Sequence, residues 1–346
     1  MEVDYIVVGC GLAGVSFCEK LKENNKSFVV FDNNSQQSSI VAGGLYNPVT
    51  LKRFTPVWKS EEQLNVALPL YNALEDVLKV KLDYKISVKR RFTSLEEQNN
   101  WFAASDKIGL KPFLNTSLQE NTNPFINADF KLGEVFKTGR LDTKLLIEHY
   151  KKHLASNNQL LVEAFNHDVL VTENNKISYK TITAKQIVFA EGFGIKQNPF
   201  FKDLPLNGTK GQLLTIYAPE LKLDYVLKSS VFVIPQGQDV YTVGSTYEQK
   251  DKTNTITQDA REMLLNKLKT FIKCDFEVLN QVAGVRPTVK DRKPLIGRHQ
   301  TNKNMYLLNG LGSRGVMISP YVSNQLYNFI ENNIPIDKEI DCSRFY

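Results

Sequence analysis

Hydrophobic residues enter this chain as an unbroken run, Tyr5-Ile6-Val7-Val8, the pattern of a strand buried on both faces of a parallel sheet. The glycine-rich stretch Gly9-Cys10-Gly11-Leu12-Ala13-Gly14 follows, and then Val15, Cys18 and Leu21 recur at helical spacing to about Asn24. A second apolar run, from Ser27 to Phe31, ends on Asp32. The pattern predicts a βαβ unit at the start of the chain. From about 60 to 138 the periodicity is weak: one helix is expected near 61–78, and 115–124 is rich in turn residues. Asp142 is a candidate N-cap for a helix reaching about Leu154, with strand-like runs after it at 160–163, 168–171 and 187–190.

From Gln212 onward the pattern changes. β-Branched and aromatic residues alternate with turn residues, and 213–217, 231–234 and 240–243 read as antiparallel strands, the last two joined through Gln236-Gly237-Gln238-Asp239. Thr257 caps an expected helix that carries Ala260, Met263, Leu264, Leu268 and Phe271 on one face. A strand at 305–308 leads into a second glycine-rich turn, Gly310 to Gly315, after which Ser319-Pro320 reads as the N-cap and first residue of a final helix. Parallel-type segments open the chain, return in its middle and close it, while antiparallel material fills the gaps. That order predicts two interleaved domains.

The first glycine turn carries the clearest chemistry. Between a strand and a helix, Gly9 permits a tight turn, Gly11 lets backbone approach a pyrophosphate, and Gly14 lets helix and strand pack closely. The helix N-terminus offers unpaired N–H groups to phosphates. Asp32, at the end of the second strand, suits ribose hydroxyls and would repel a 2′-phosphate, which disfavours NADP. These residues point to a dinucleotide and leave FAD and NAD undivided.

Length and composition narrow the class without settling it. At 346 residues, with 42% apolar and 23% charged residues, the chain has the size of a two-lobed enzyme. A net charge of +6 is too mild to demand nucleic acid, though it leaves room for an anionic substrate or an RNA partner. Cys10, Cys18, Cys274 and Cys342 lack paired spacing, so neither a metal site nor a disulfide framework is expected. The start, Met1-Glu2-Val3-Asp4, lacks a signal-peptide pattern, and no membrane span is evident; a cytoplasmic protein is expected.

Four motifs extend the picture: the first glycine turn with Asp32; the small-residue loop from Ser38 through Ala42, Gly43 and Gly44 to Pro48; Ala283-Gly284-Val285-Arg286-Pro287-Thr288 with Asp291 and 294–297; and Leu308 to Gly315. On these the chain resembles the D-amino-acid oxidase superfamily of FAD enzymes, especially its glycine oxidase and sarcosine oxidase branch. It is also similar to the FAD domain of the bacterial bifunctional enzyme that modifies wobble uridine in tRNA. The resemblance implies an α/β fold: a Rossmann-type FAD-binding domain of the glutathione-reductase type (1–60, 139–210 and 283–346) interleaved with an α+β substrate domain on an antiparallel sheet (61–138 and 211–282). It also implies FAD contacts at Gly9, Gly11, Leu12, Ala13, Gly14, Asp32, Ala42, Gly43, Gly44, Gly192, Gly310, Gly312, Ser313 and Gly315. The cysteine that carries covalent flavin in sarcosine oxidases is not evident, so non-covalent FAD is expected.

The activity so implied is oxidation of an amine or amino-acid C–N bond by hydride transfer to flavin N5. Arg286 stands where glycine oxidase-like members bind the substrate carboxylate, and a guanidinium is a fixed fork suited to that task. A structural ion pair with Asp291 is the competing expectation. Arg314, in the second glycine turn, could serve substrate or flavin. Backbone N–H groups of 312–315 would face negative charge developing on the flavin. A tyrosine that assists carboxylate binding in glycine oxidase is here Phe232, which weakens the expectation of a small free amino acid. Lys210-Gly211-Gln212 resembles a domain-crossing segment. His149 and His153 read as a solvated helix face, His167 and His299 have no evident partner, and Tyr46, Tyr241 and Tyr247 are ambiguous between site and core. Two rivals remain. One is an FAD enzyme acting on a carboxymethylamino group of tRNA wobble uridine, although no segment matches the methyltransferase half of that enzyme. The other is a flavin-binding protein without turnover.

Overall fold

The computed structural model describes residues 1–173 and 176–346. Its first layer is an eight-stranded sheet in which Leu160–Leu161, Phe28–Phe31, Glu2–Val8, Ile182–Phe189 and Met305–Asn309 lie side by side and parallel. Val8 is level with Phe31 on one side and Phe189 on the other, so three strands end together at one rim. All four residues of Phe28–Phe31 are buried, as the unbroken apolar run requires. Lys176–Tyr179, Leu170–Glu173 and Leu295–Arg298 add antiparallel pairs to this sheet.

The helices are α1 (Leu12–Glu23), α2 (Ser60–Leu78), α3 (Leu95–Ser105), α4 (Thr143–Ser156), α5 (Gln258–Lys269) and α6 (Gly315–Asn332). α1 packs on α6, with Phe17, Leu21, Val322 and Leu326 in the shared core. α4 begins as expected, Asp142 accepting a hydrogen bond from the Leu145 N–H at 3.0 Å. Among the described residues no helix is long and apolar enough to cross a membrane.

The second layer is a seven-stranded sheet in the order Glu277–Arg286, Thr209–Tyr217, Val240–Gly244, Phe232–Gly237, Val226–Lys228, Val88–Arg91, Leu132–Val135. One face carries Leu214, Val243, Val233 and Leu227, which bury against Leu264 and Leu268 of α5. The other face turns toward the loop that follows Ser38: a side chain at Gly284 would touch Val41, and one at Gly43 would stand 3.0 Å from Ile234 Cδ1. The molecule is thus a parallel α/β layer meeting, across the 38–44 loop, a sheet that is antiparallel except where Val226–Lys228 runs parallel to Val88–Arg91.

Some local expectations are corrected. The final helix opens at Gly315, not at Ser319-Pro320, and Pro320 lies inside it. Proline cannot donate to the carbonyl four residues back; the buried Tyr71 hydroxyl donates to that Val316 carbonyl instead, at 2.7 Å. Thr257 precedes α5 but does not cap it, because its hydroxyl accepts from Gln212 Nε2 at 2.9 Å. The run at 168–171 is divided into a 3₁₀ turn, His167–Val169, and the strand Leu170–Glu173. α3 was not expected, yet Ser94 caps it and Glu97 reaches back to the Thr93 N–H at 2.8 Å.

Candidate active site

The first glycine turn forms where the parallel strands end. Gly9 has φ +105°, and a side chain there would collide with the Ala190 carbonyl of the neighbouring strand end. A side chain at Gly14 would collide with the Gly9 carbonyl, so helix and strand close to a distance only glycine allows. Gly11, the residue before α1, has no side chain with which to cap it; of the following residues Leu12, Ala13 and Gly14, the Leu12 N–H donates to Ser39 Oγ at 3.1 Å. Asp32 accepts from the Cys10 N–H at 2.7 Å and from Lys151 Nζ of α4 at 2.7 Å. That lysine has no local sequence signal; tertiary packing alone brings it to the acid.

The second turn lies against the first. At Gly312, φ is +58° and a side chain would meet nothing within 4 Å, while its N–H donates to the Pro287 carbonyl at 3.0 Å. Ser313 and Arg314 lead into α6, whose N-terminus is also without a side-chain cap. A side chain at Gly315 would stand 3.1 Å from Leu12 Cδ1, and Ser16 Oγ donates to Ser319 Oγ at 3.0 Å. Asn309 Nδ2 donates to the Gly192 carbonyl at 2.8 Å, joining the element after Phe189 to Gly310. Two uncapped helix N-termini, adjacent and edged by glycine, are a cradle for phosphate and for a ring that develops negative charge. The donor set fits FAD.

The 38–44 loop closes the cradle from the side of the antiparallel sheet. The Ala42 carbonyl accepts from Thr143 Oγ1 at 3.3 Å, and the Gly44 carbonyl accepts from the Leu141 N–H at 3.0 Å. A side chain at Gly284 would lie 3.2 Å from Ser38 Cα. Two residues on, Arg286 folds its guanidinium over Gly211, where a β-carbon would overlap it. Lys210-Gly211-Gln212 is therefore part of a central strand, with Lys210 fully buried and paired to Asp251 at 2.5 Å.

Arg286 Nη2 donates to Ser245 Oγ at 2.7 Å, and Nη1 donates to the Thr246 carbonyl at 3.2 Å. Its guanidinium stands 4.7 Å from the centroid of the Tyr247 ring, a ring 70% exposed. The expected competitor is excluded: Asp291 pairs with Arg344 at 2.9 Å. Arg314 Nη2 donates to Thr50 Oγ1 at 2.8 Å. Neither arginine has an ion pair among the described residues, and burial lowers both from the ordinary guanidinium value, opposed by the nearby Tyr247 phenol. Two half-buried cations are thus held by neutral acceptors and suit an anion.

Other expectations sort themselves by burial. Tyr46 is core, its hydroxyl on Asp83 at 2.8 Å, and Tyr241 accepts from the Leu223 N–H on the α5 side of the sheet. Tyr247, Ser245, Thr246 and Thr50 gather at the arginines; only a register linking distant strands could have shown this. His167 does have a partner, Glu191 at 3.1 Å, and His299 Nδ1 accepts from the Asn302 N–H at 3.1 Å.

The family model for FAD dependent oxidoreductases, DAO, matches residues 4–326. Glycine oxidase of Bacillus subtilis is 25% identical over 217 residues, which is 58% of this chain and 58% of that protein. The tRNA 5-methylaminomethyl-2-thiouridine biosynthesis bifunctional protein MnmC of Shewanella halifaxensis is 25% identical over 179 residues, 41% of this chain and 28% of that one. The matches thus span well under two thirds of these relatives' own lengths. Among solved structures, iminodiacetate oxidase from Chelativorans sp. BNC1 superposes with a TM-score of 0.79 at 15% identity, over 97% of this chain and 98% of that one. At that identity the likeness establishes the fold.

Proposed function

The chain belongs to the DAO family of FAD-dependent oxidoreductases, and from that premise we propose that it oxidises the C–N bond of an amine bearing a carboxylate. One observation carries the reading: Arg286 and Arg314, both half-buried and without an acidic partner among the described residues, share the Tyr247 phenol as a neighbour, and Arg314 belongs to the glycine turn that meets the first at Leu12. FAD, when bound, would supply two-electron hydride acceptance, the chemistry by which an amine C–N bond is oxidised to the imine level before hydrolysis in water. The protein's part is orientation and electrostatics. Gly9, Gly11, Leu12, Ala13 and Gly14 would hold the pyrophosphate, Asp32 the adenosine ribose, and Ala42, Gly43, Gly44 and Gly192 the remaining length of the cofactor. The N–H groups of Ser313 and Gly315, at the start of α6, would face the flavin oxygens and stabilise charge there, whereas those of Gly312 and Arg314, expected to join them, are taken by the Pro287 and Leu311 carbonyls. Arg286 would take the substrate carboxylate as a bidentate pair, with the Tyr247 ring stacked on its guanidinium. On this reading the parallel sheet is the core of the FAD domain and the antiparallel sheet that of the substrate domain. Four buried, unpaired thiols suit a reducing cytoplasm.

A second reading, oxidation of a carboxymethylamino group on a tRNA uridine, is favoured by the match to MnmC and by Phe232 in place of a hydroxyl. Anaerobic mixing of the yellow holoprotein with amines, amino acids and tRNA separates the two. Bleaching of the flavin by free amino acids supports the first reading, and bleaching by tRNA alone replaces it with the second. No bleaching by any class would leave a flavoprotein without turnover on amines.

A further inference from the structure

The face of the antiparallel sheet that bears Arg286 also carries a lysine that neither the fold nor the proposed reaction has used. Leu213 is in register with Gly244, Gly244 with Phe232, and Phe232 with Lys228. Gly211, two residues before Leu213, is in register with Gly284, two before Arg286. Alternate positions of a strand share a face, so Arg286, Gly244, Phe232 and Lys228 lie on one face, the face on which Gly284 and Ile234 meet the 38–44 loop and Phe232 packs beside Val49, Leu51 and Phe54. Lys228 Nζ lies 4.5 Å from the centroid of the Phe232 ring, which leans the ammonium toward Gly244 and away from the sheet edge. Ser245, the next residue, holds Arg286. Two strand spacings, about 10 Å, separate the backbones of Gly244 and Lys228. The Phe232 ring lies between them and the Leu213 side chain covers Gly244, which together make an apolar floor.

The charge around Lys228 has one sign in excess. Arg90, Lys267 and Lys52 act on it as like charges, and the carboxylate that opposes them, Glu97, is engaged by Arg90 and by Thr93. Lys228, Lys52 and Lys267 make no ion pair among the described residues. Burial first, and then these neighbouring cations, push its ammonium down to about 8. It therefore stays mostly protonated near neutral pH, in a place where no ion pair among the described residues compensates the charge.

We propose that Lys228 forms a second anion subsite, so that the amine oxidised here carries a further oxyanion, carboxylate or phosphate, beyond the carboxylate held by Arg286. The inference rests on the carboxylate-amine reading above. The substrate class is then a dianionic amine whose two acidic ends are joined by a short apolar spacer lying over Phe232.

Titration of the anaerobic holoprotein with non-oxidisable acids, followed by the flavin absorbance, tests this. The acids are butyrate, the dicarboxylates from succinate to suberate, and 3-phosphonopropionate. One dicarboxylate length, or the phosphonate, is expected to bind about tenfold more tightly than butyrate, and which of them gains most identifies the second oxyanion. In Lys228→Met with FAD retained that ratio falls to near one, and in Lys228→Arg most of it survives. A ratio near one in the wild type, or one that persists in Lys228→Met, overturns the second subsite. Loss of butyrate binding in Arg286→Ala leaves the underlying reading standing in either case. Butyrate binding indifferent to Arg286→Ala, or a flavin spectrum unmoved by every acid, overturns that reading and the subsite with it.

Discussion

Arg286 shows how a single side chain can be legible while its role is not. Its motif is visible in the sequence, but the feature that frees it for a ligand, Asp291 pairing elsewhere, depends on Arg344 near the other end of the chain. A hydrogen bond to a charged group contributes about 1.5–3 kcal/mol. Arg286→Ala is therefore expected to raise KM for a carboxylate substrate roughly 10- to 100-fold with FAD still bound; steady-state kinetics beside the flavin absorbance check both halves. Gly211→Ala should produce the same kinetic defect without touching the arginine, because its methyl group occupies the space of the guanidinium; unchanged KM would show that the guanidinium rests elsewhere. Lys228 gives a pH-dependent test. Its folded value near 8 is below the ordinary 10.5, so between these values the unfolded chain binds a proton that the folded chain has released. Stability from this group accordingly rises with pH across that window and is lowest below about 8. Lys228→Met should thus raise Tm by a few degrees at pH 7, with a gain that shrinks toward pH 10.5. A gain that is flat in pH would mean the ammonium is not held down by burial.

Elements were read well where one segment decides its own structure, and poorly where a partner decides it. The βαβ unit is complete in its own pattern: apolar run, glycine turn, helical spacing, acid. α3 was equally local, since Ser94 caps it and Glu97 reaches back to the Thr93 N–H, but the weak apolar periodicity around it concealed that signal. The start of α6 was hidden for the opposite reason. Ser319-Pro320 is a sound local sign of a helix start, and it is overridden by Tyr71, which lies in α2 and serves the one carbonyl that Pro320 leaves unpaired. That bond pins the first turn of α6 beside Leu12, where the flavin would sit. Tyr71→Phe should cost about 1–3 kcal/mol, the penalty of a buried carbonyl without a donor. Pro320→Ala restores an N–H four residues from that carbonyl, so in its background the same substitution should cost less than half as much. Denaturant unfolding of the four proteins of this cycle measures the coupling; strictly additive effects would mean that the hydroxyl and the missing N–H are unrelated.

At the scale of the molecule, the site exists only because segments from the start, middle and end of the chain reach one cleft. Gly315 touches Leu12, Asn309 bonds Gly192, and Gly284 lies on Ser38. Sequence order pointed to that closure, since parallel-type segments recur with antiparallel material between them, whereas the face of the antiparallel sheet that meets the cleft was set by registers among strands far apart. A ligand spanning such a site should stabilise its pieces together. Binding to the folded state alone adds about 4 kcal/mol when the ligand is a thousand times above its Kd, and that energy belongs to every segment the ligand bridges. Hydrogen exchange on apoprotein and FAD-reconstituted protein should therefore show slowing at 10–14, 40–44 and 311–316 with the same dependence on FAD concentration, and none with NAD. The 245–248 segment, which holds Arg286, should on the proposed reading slow only when a carboxylate is added to the holoprotein. Protection confined to 10–14 would mean that the first turn binds a nucleotide alone, and that α6 and the antiparallel sheet close over no flavin.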